Sequence, residues 1–227
     1  MYFDYEKEPC IVIIGDIKES KKITGRKEIQ HQLNRALEEI NIKYKELILT
    51  KFIITLGDEF QGVLSEGKDL MDILFFIEKE MYPVRLRFGI GIGRLSTDIN
   101  NEYSIGADGP GYYKARDAVD FLKQGEKQNQ SYPADTKVIL EADNNNMQIM
   151  IDTVFMLMTV LKNTWTDKQR EAVWDMLMYN DNQSESARRQ GISQATLQRH
   201  LSKGNFYAFK EATGVLNKVF AQIGGVE

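Results

Sequence analysis

Two aspartates stand where a carboxylate can do chemistry. Asp16 follows the apolar run Ile11 to Ile14 and Gly15, and Asp58 sits in Gly57-Asp58-Glu59 between two apolar stretches. Carboxylates brought to one edge of a sheet hold one or two magnesium ions. Each also has an ordinary use, Asp16 as a cap for the next helix and Asp58 as a turn residue. The scarce residues narrow the chemistry from the other side. Cys10, His31 and His200 are the only thiol and the only imidazoles, three groups where a structural zinc site takes four. Neither histidine stands in a paired motif, so a histidine-activated nucleophile is not expected. Carboxylate, arginine, lysine and glycine remain, an inventory suited to a hard cation and a phosphate ligand.

The elements that must position these groups follow from periodicity. Ile11 to Ile14 reads as a strand buried on both faces. Ile29, Leu33, Leu37, Ile40 and Tyr44 recur every three to four positions and predict an amphipathic helix within 22–44. Leu47 to Leu56 and Phe60 to Leu64 predict a hairpin with the acidic pair at its turn, and Asp69 to Met81 a helix stopped by Pro83. Val84 to Ile92 alternates strictly and leaves Gly89, Gly91 and Gly93 on one face, which a helix or a ligand must approach closely. A glycine-rich turn, IGADGPG, a helix over 112–122 and a strand over 137–140 complete the first half. The order predicts an α+β fold: a ferredoxin-like sandwich with an antiparallel sheet, followed by an all-α part.

Composition bounds the setting. The 227 residues carry 29 basic and 33 acidic side chains, a net charge of −4, so nucleic-acid binding has to rest on a local basic patch. Val154 to Leu161, the longest nearly unbroken apolar run, is far shorter than the roughly 18 residues of a membrane span. No membrane partner and no signal peptide are expected, and the single cysteine fits a reducing cytoplasm. No internal repeat is present. The polar stretch Asp143 to Asn146 marks a boundary between a domain over 1–143 and a helical one over 147–227.

In the second half, Thr166 and Gln169 have capping-box spacing for a helix from Asp167 to about Tyr179. Residues 184–190, Gly191-Ile192 and 193–203 read as helix, turn and helix, with Ser193 as cap and Ile192, Leu197 and Leu201 turned inward. Over 183–203 four basic residues face only Glu185. On double-stranded DNA, Ser193, Gln194, Thr196, Gln198 and Arg199 would lie toward the major groove, and Arg188, Arg189 and Lys203 on phosphates. The same pattern also serves a helical hairpin for protein contact. Phe206 to Phe220 closes the chain as an amphipathic helix, for core or dimer contact.

GDIKES after an apolar strand, then ITLGDEFQGVL, GIGIG and YSIGADGPGYYKAR, resembles the ordered motifs of class III nucleotidyl cyclases and the related GGDEF domains. The resemblance implies Mg2+ or Mn2+ held by Asp16, the carbonyl of Ile17 and Asp58. It implies a nucleoside triphosphate cradled by backbone amides of Lys18, Glu19 and Ser20 and by Gly57, Gly106, Asp108, Gly109, Gly111 and Tyr112. Arg116, in the Ala-Arg pair that ends the third motif, would neutralise transition-state charge. Tyr112 stands where the cyclases carry asparagine, Ile54 where they carry an adenine-reading lysine, and Asp108 one residue late. These departures imply a purine-nucleotide sensor rather than an efficient cyclase or nucleotidyltransferase, the alternative being such an enzyme with a helical half for assembly. A palm used only for dimerisation is the third reading. The segment over 183–203 is similar to sigma-factor region 4, and the cyclase-like half joined to it resembles the bacterial SatD family. Cyclase sites form between protomers, so a homodimer is expected.

Overall fold

The computed structural model describes residues 9–96, 108–127, 134–141 and 145–224. Strand β1 (Cys10–Ile17) is buried along all eight residues, as its unbroken apolar run requires of a central strand. A short 3-10 turn (Ser20–Lys22) leads to α1 (Arg26–Lys43), and the hairpin is β2 (Ile48–Leu56) and β3 (Glu59–Leu64). Helix α2 (Leu70–Met81), β4 (Leu86–Gly93), α3 (Pro110–Lys127) and β5 (Thr136–Leu140) follow. The sheet order is β2-β3-β1-β4-β5. The first four strands pair antiparallel, in the order a βαββαβ sandwich requires.

The expectation of a purely antiparallel sheet needs one correction, because β5 pairs parallel to β4. Helix α3 is the crossover between them, and a strand reached through a helix comes back in the same direction. Helices α1 and α2 pack on one face of the sheet and α3 on the other. The glycine face of β4 is explained by that helix: a Cβ on Gly91 would lie 2.0 Å from the carbonyl oxygen of Gly111, and one on Gly89 2.4 Å from that of Ala115. Of the two uses open to those glycines, close approach of a helix backbone is the one realised.

Helix α4 (Asn145–Thr164) docks against the open edge of β5. Asp152 accepts from the Val138 amide at 3.3 Å, Gln148 accepts from the Leu140 amide at 3.0 Å and donates to the Val138 carbonyl, and the Thr159 hydroxyl accepts from the Asp135 amide at 3.1 Å. Backbone groups that would invite another strand are thus spent on side chains. At the other edge, Asn41 of α1 pairs with both backbone groups of Phe52.

The remaining helices are α5 (Asp167–Tyr179), α6 (Gln183–Arg189), α7 (Gln194–Lys203) and α8 (Phe206–Phe220). Thr166 forms the capping box with Gln169. Phe209 of α8 stacks on Phe75 of α2 and on Trp165, and Phe220 on Phe155 of α4, so one apolar cluster runs from the sheet into the helical half. At the seam the Arg170 guanidinium lies 5.0 to 5.4 Å from the rings of Tyr82, Trp165 and Trp174. Among the described residues no helix is long and apolar enough to cross a membrane.

Candidate functional site

Strand register brings the acidic groups together. Asp16, near the end of β1, is paired with Glu59 of β3 on one side and with Arg87 of β4 on the other. Side chains at paired positions share a face, so Glu59, Asp16 and Arg87 form a row across three strands beneath α3. The helix supplies Arg116 and, two turns later, Lys123. Arg87 contacts Asp16 Oδ2, Lys123 Nζ lies 3.2 Å from the same oxygen, and Arg116 grips Glu59 with two bonds of 2.5 and 2.7 Å. Arg87 also reaches Glu126 at 2.5 Å, and Glu126 reaches Lys18, which pairs with Asp135.

Asp16 is buried, and burial pushes its carboxyl above the ordinary value of 3.8. Lys123 and Arg87 pull against that shift, and the like charge of Asp58 adds to it. Asp58 is therefore close enough to be felt. The hairpin also touches β1 directly, the Ile17 amide donating to the Asp58 carbonyl at 3.2 Å. Asp58 is half-buried and makes no ion pair among the described residues. It opens into a cavity of about 320 Å³ lined also by Ile17, Ser20, Lys21, Arg26 and Gly57. Gly57, with φ of 62°, takes the left-handed turn conformation that shapes this wall. Arg26 donates to the Ser20 carbonyl and Gln30 to the Gly57 carbonyl, tying α1 to both loops.

No group of three or more His, Cys, Asp or Glu side chains gathers as a metal would need among the described residues. Asp16 and Glu59 are balanced by Arg87, Arg116 and Lys123, whereas Asp58 is not paired with any of the three. Asp58 lines the cavity, whereas Asp16 does not, its carboxylate being engaged by Arg87 and Lys123, so the two expected metal aspartates are not gathered as a closed protein cage would need. A magnesium ion bound at the cavity would be held by Asp58 together with phosphate oxygens of its ligand.

Several expectations for individual residues need correction. The Lys18 amide donates to the Arg85 carbonyl at 2.8 Å, so it cannot cradle phosphate. Tyr112 is buried among Cys10, Val12, Ile14 and Val63, and desolvation raises its hydroxyl. It is a core residue of the sheet's α3 face, not a nucleotide contact. Gly111, in the first turn of α3, is buried against the sheet, its amide donating to the Arg94 carbonyl. At Gly109 a Cβ would meet the Ser96 amide at 2.6 Å, so this glycine too serves packing. Asp108 is exposed, accepting from the Gly109 amide and the Tyr113 hydroxyl. Gly106 lies outside the described residues. Arg116 is held by Glu59 rather than directed at the cavity. Glu59, Arg87 and Lys123 were missed. The signals were present: Glu59 adjoins Asp58, Arg87 continues the glycine face of β4, and Lys123 lies two helical turns beyond Arg116.

Residues 10–214 match the SatD family. The chain belongs to the SatD family. No curated protein matches it. Among solved structures, the SatD-family chain is similar to the catalytic core of a rhodopsin-guanylyl cyclase with converted specificity, in complex with ATPalphaS, at 18% identity and a TM-score of 0.35. The match covers 50% of this chain and 72% of that one.

In the helical half, α6 and α7 are joined by Gln190 to Ser193, with Gly191 at φ of 64°. The Ser193 hydroxyl caps α7 by accepting from the Thr196 amide at 3.1 Å and also donates to the Thr196 hydroxyl, so both residues serve the cap. Arg189 is spent on Asp175 and Asp181 and lies 4.1 Å from the Tyr179 ring centre, which removes it from the expected phosphate contacts. Arg188 pairs with Glu185 on the surface. Gln194, Arg199 and Lys203 are exposed, and Gln198 is half-buried, bonded to Tyr207 and Ser202 at 3.2 Å.

Proposed function

We propose that this SatD-family chain is a cytoplasmic DNA-binding regulator whose sheet binds a magnesium-complexed purine nucleoside triphosphate as a signal. The observation that carries the reading is the cavity at Asp58. A carboxylate without an ion pair shares that cavity with Lys21 and Arg26, and the buried Asp16 carboxylate is near enough to feel its charge. Magnesium supplies charge neutralisation between carboxylate and phosphate. The chain itself contributes Lys21 and Arg26 to phosphate oxygens, and the amides of Glu19 and Ser20 at the turn that borders the cavity. Engagement of Arg116 by Glu59 favours binding over turnover, since the charge that would serve a transition state is already neutralised in place.

Two copies of α7 would read DNA, with Gln194, Gln198 and Arg199 toward base edges and Arg188 and Lys203 on phosphates. The surface pair of Arg188 with Glu185 is weak enough to exchange for a phosphate.

The test is the thermal midpoint with each ribonucleoside triphosphate, with and without magnesium, for wild type and Asp58→Ala. A ligand at a hundred times its Kd adds about 2.7 kcal/mol, which for a chain of this size is a rise of about 5 to 10 °C. The expected result is a magnesium-dependent rise with a purine triphosphate, lost in the variant. No shift with any triphosphate would overturn the nucleotide reading. Pyrophosphate released by wild type and not by Asp16→Ala would overturn the sensor reading in favour of an enzyme.

A further inference from the structure

Helix α4 spends both of its charges inward. Asp152 is buried against Lys137, and Lys162 is buried against Glu78 and Asp135. Its outer face therefore has no charge over the whole 20 residues, about 30 Å of helix. On that face Ile149, Met150, Leu157 and Val160 are 62%, 63%, 55% and 44% exposed, and Asn146, Thr153 and Thr164 are exposed with them. Ile42, Leu56 and Val215 are exposed on other elements, but on α4 four such side chains are gathered on one helix, and an apolar patch of that kind asks for a partner.

The spacing says what kind of partner. Asn146, Met150, Thr153, Leu157, Val160 and Thr164 follow one another at intervals of four, three, four, three and four, the seam of a two-helix coiled coil. The seam is also symmetric about residue 155. Turned end for end, it lays Met150 on Val160, the larger Leu157 on the smaller Thr153, and polar Asn146 on polar Thr164. A surface whose large residues meet small ones of its own copy, with no charge to be matched, is what a two-fold interface requires.

We propose that a second copy of this chain covers the outer face of α4, the two helices packing antiparallel about a two-fold axis near residue 155. The exposed apolar side chains of Ile149, Met150, Leu157 and Val160 amount to about 400 Å² per protomer, within the range of the largest patch on a monomer, which is often functional. That is about half of a standard interface, so flanking surface must contribute the remainder. The pairing depends on neither nucleotide nor DNA.

The test uses the full chain. Light scattering is expected to give twice the monomer mass of 26.1 kDa, and Leu157→Glu, a change at an exposed position, is expected to give the monomer with an unchanged circular dichroism spectrum. Because Cys10 is buried, introduced cysteines report alone. An oxidised mixture of Thr153→Cys and Leu157→Cys proteins is expected to cross-link as a heterodimer, while each variant by itself does so far more weakly. Cross-linking keeps the proposal testable should Leu157→Glu fail to fold. A wild-type monomer at tens of micromolar, a folded Leu157→Glu that remains dimeric, or Leu157→Cys that cross-links best with itself would each overturn it.

Discussion

The acidic edge of the sheet and the α6–α7 surface use charge in opposite ways. At the sheet edge Asp16, Glu59 and Arg87 come from three strands, Arg116 and Lys123 from the helix above, and the carboxylates are buried. On α7, Arg199 and Lys203 stand in solvent, and the helix is set by its own Ser193 cap. Buried charges cost desolvation and must be held by partners from several elements, whereas exposed ones cost little and are held by nothing. A site of the first kind is set by the fold as a whole, the second by its own helix.

The largest break in this contrast should come from Arg87→Met, which leaves Asp16 without its strand partner. Loss of one member of a buried pair costs about 3–5 kcal/mol, read as a lower urea midpoint. Both tryptophans, Trp165 and Trp174, lie in the helical half, so their fluorescence asks whether a lesion in the sheet reaches it. The shared apolar cluster implies that it does, with fluorescence and circular dichroism moving together. Separate transitions would show two independent bodies.

Gly91→Ala should cost about 2–3 kcal/mol, because α3 must move off the sheet to admit the methyl group. Since α3 carries Arg116 and Lys123, nucleotide binding should weaken along with stability. Ser193→Ala is expected to cost only about 1 kcal/mol, the value of one helix cap, and to weaken DNA binding while nucleotide binding holds. A Ser193→Ala protein that loses its nucleotide would blur the division between the regions.

The pH dependence of Asp16 is smaller and tests whether burial outweighs its cationic partners. Its folded carboxyl lies above the ordinary 3.8. A raised acid contributes stability that is fully present below the unfolded value and lost as pH rises through the folded one. Wild type should therefore lose stability relative to Asp16→Asn as pH is raised from below 3.8 through the folded value. A relative gain over that window would mean that Arg87 and Lys123 dominate.

The same contrast explains what the sequence revealed. Signals in the helical half are local: Thr166 with Gln169, Ser193 with Thr196, and Gly191 at the turn all act within three residues, and the helices lie where those signals place them. In the sheet, apolar patterning gave the strands and their order, but β1 runs on from Ile14 through Asp16 to Ile17 because β3 and β4 pair with it on both sides. Asp16 and Arg87 are 71 residues apart and Glu59 and Arg116 are 57 apart. Such partners are chosen by register and by the helix that closes over them, neither of which periodicity states. The parallel pairing of β5 and the inward turn of Tyr112 were hidden for the same reason.

That one chain couples a nucleotide at the sheet edge to DNA at α7 is tested most directly by linkage. A duplex enriched from random DNA by the protein itself would be titrated by fluorescence anisotropy at fixed salt, with and without magnesium and the stabilising triphosphate, for wild type and Asp58→Ala. The account predicts a DNA affinity that changes with the nucleotide in wild type and does not change in Asp58→Ala. A DNA affinity indifferent to nucleotide in wild type, or no duplex retained at all, would contradict it.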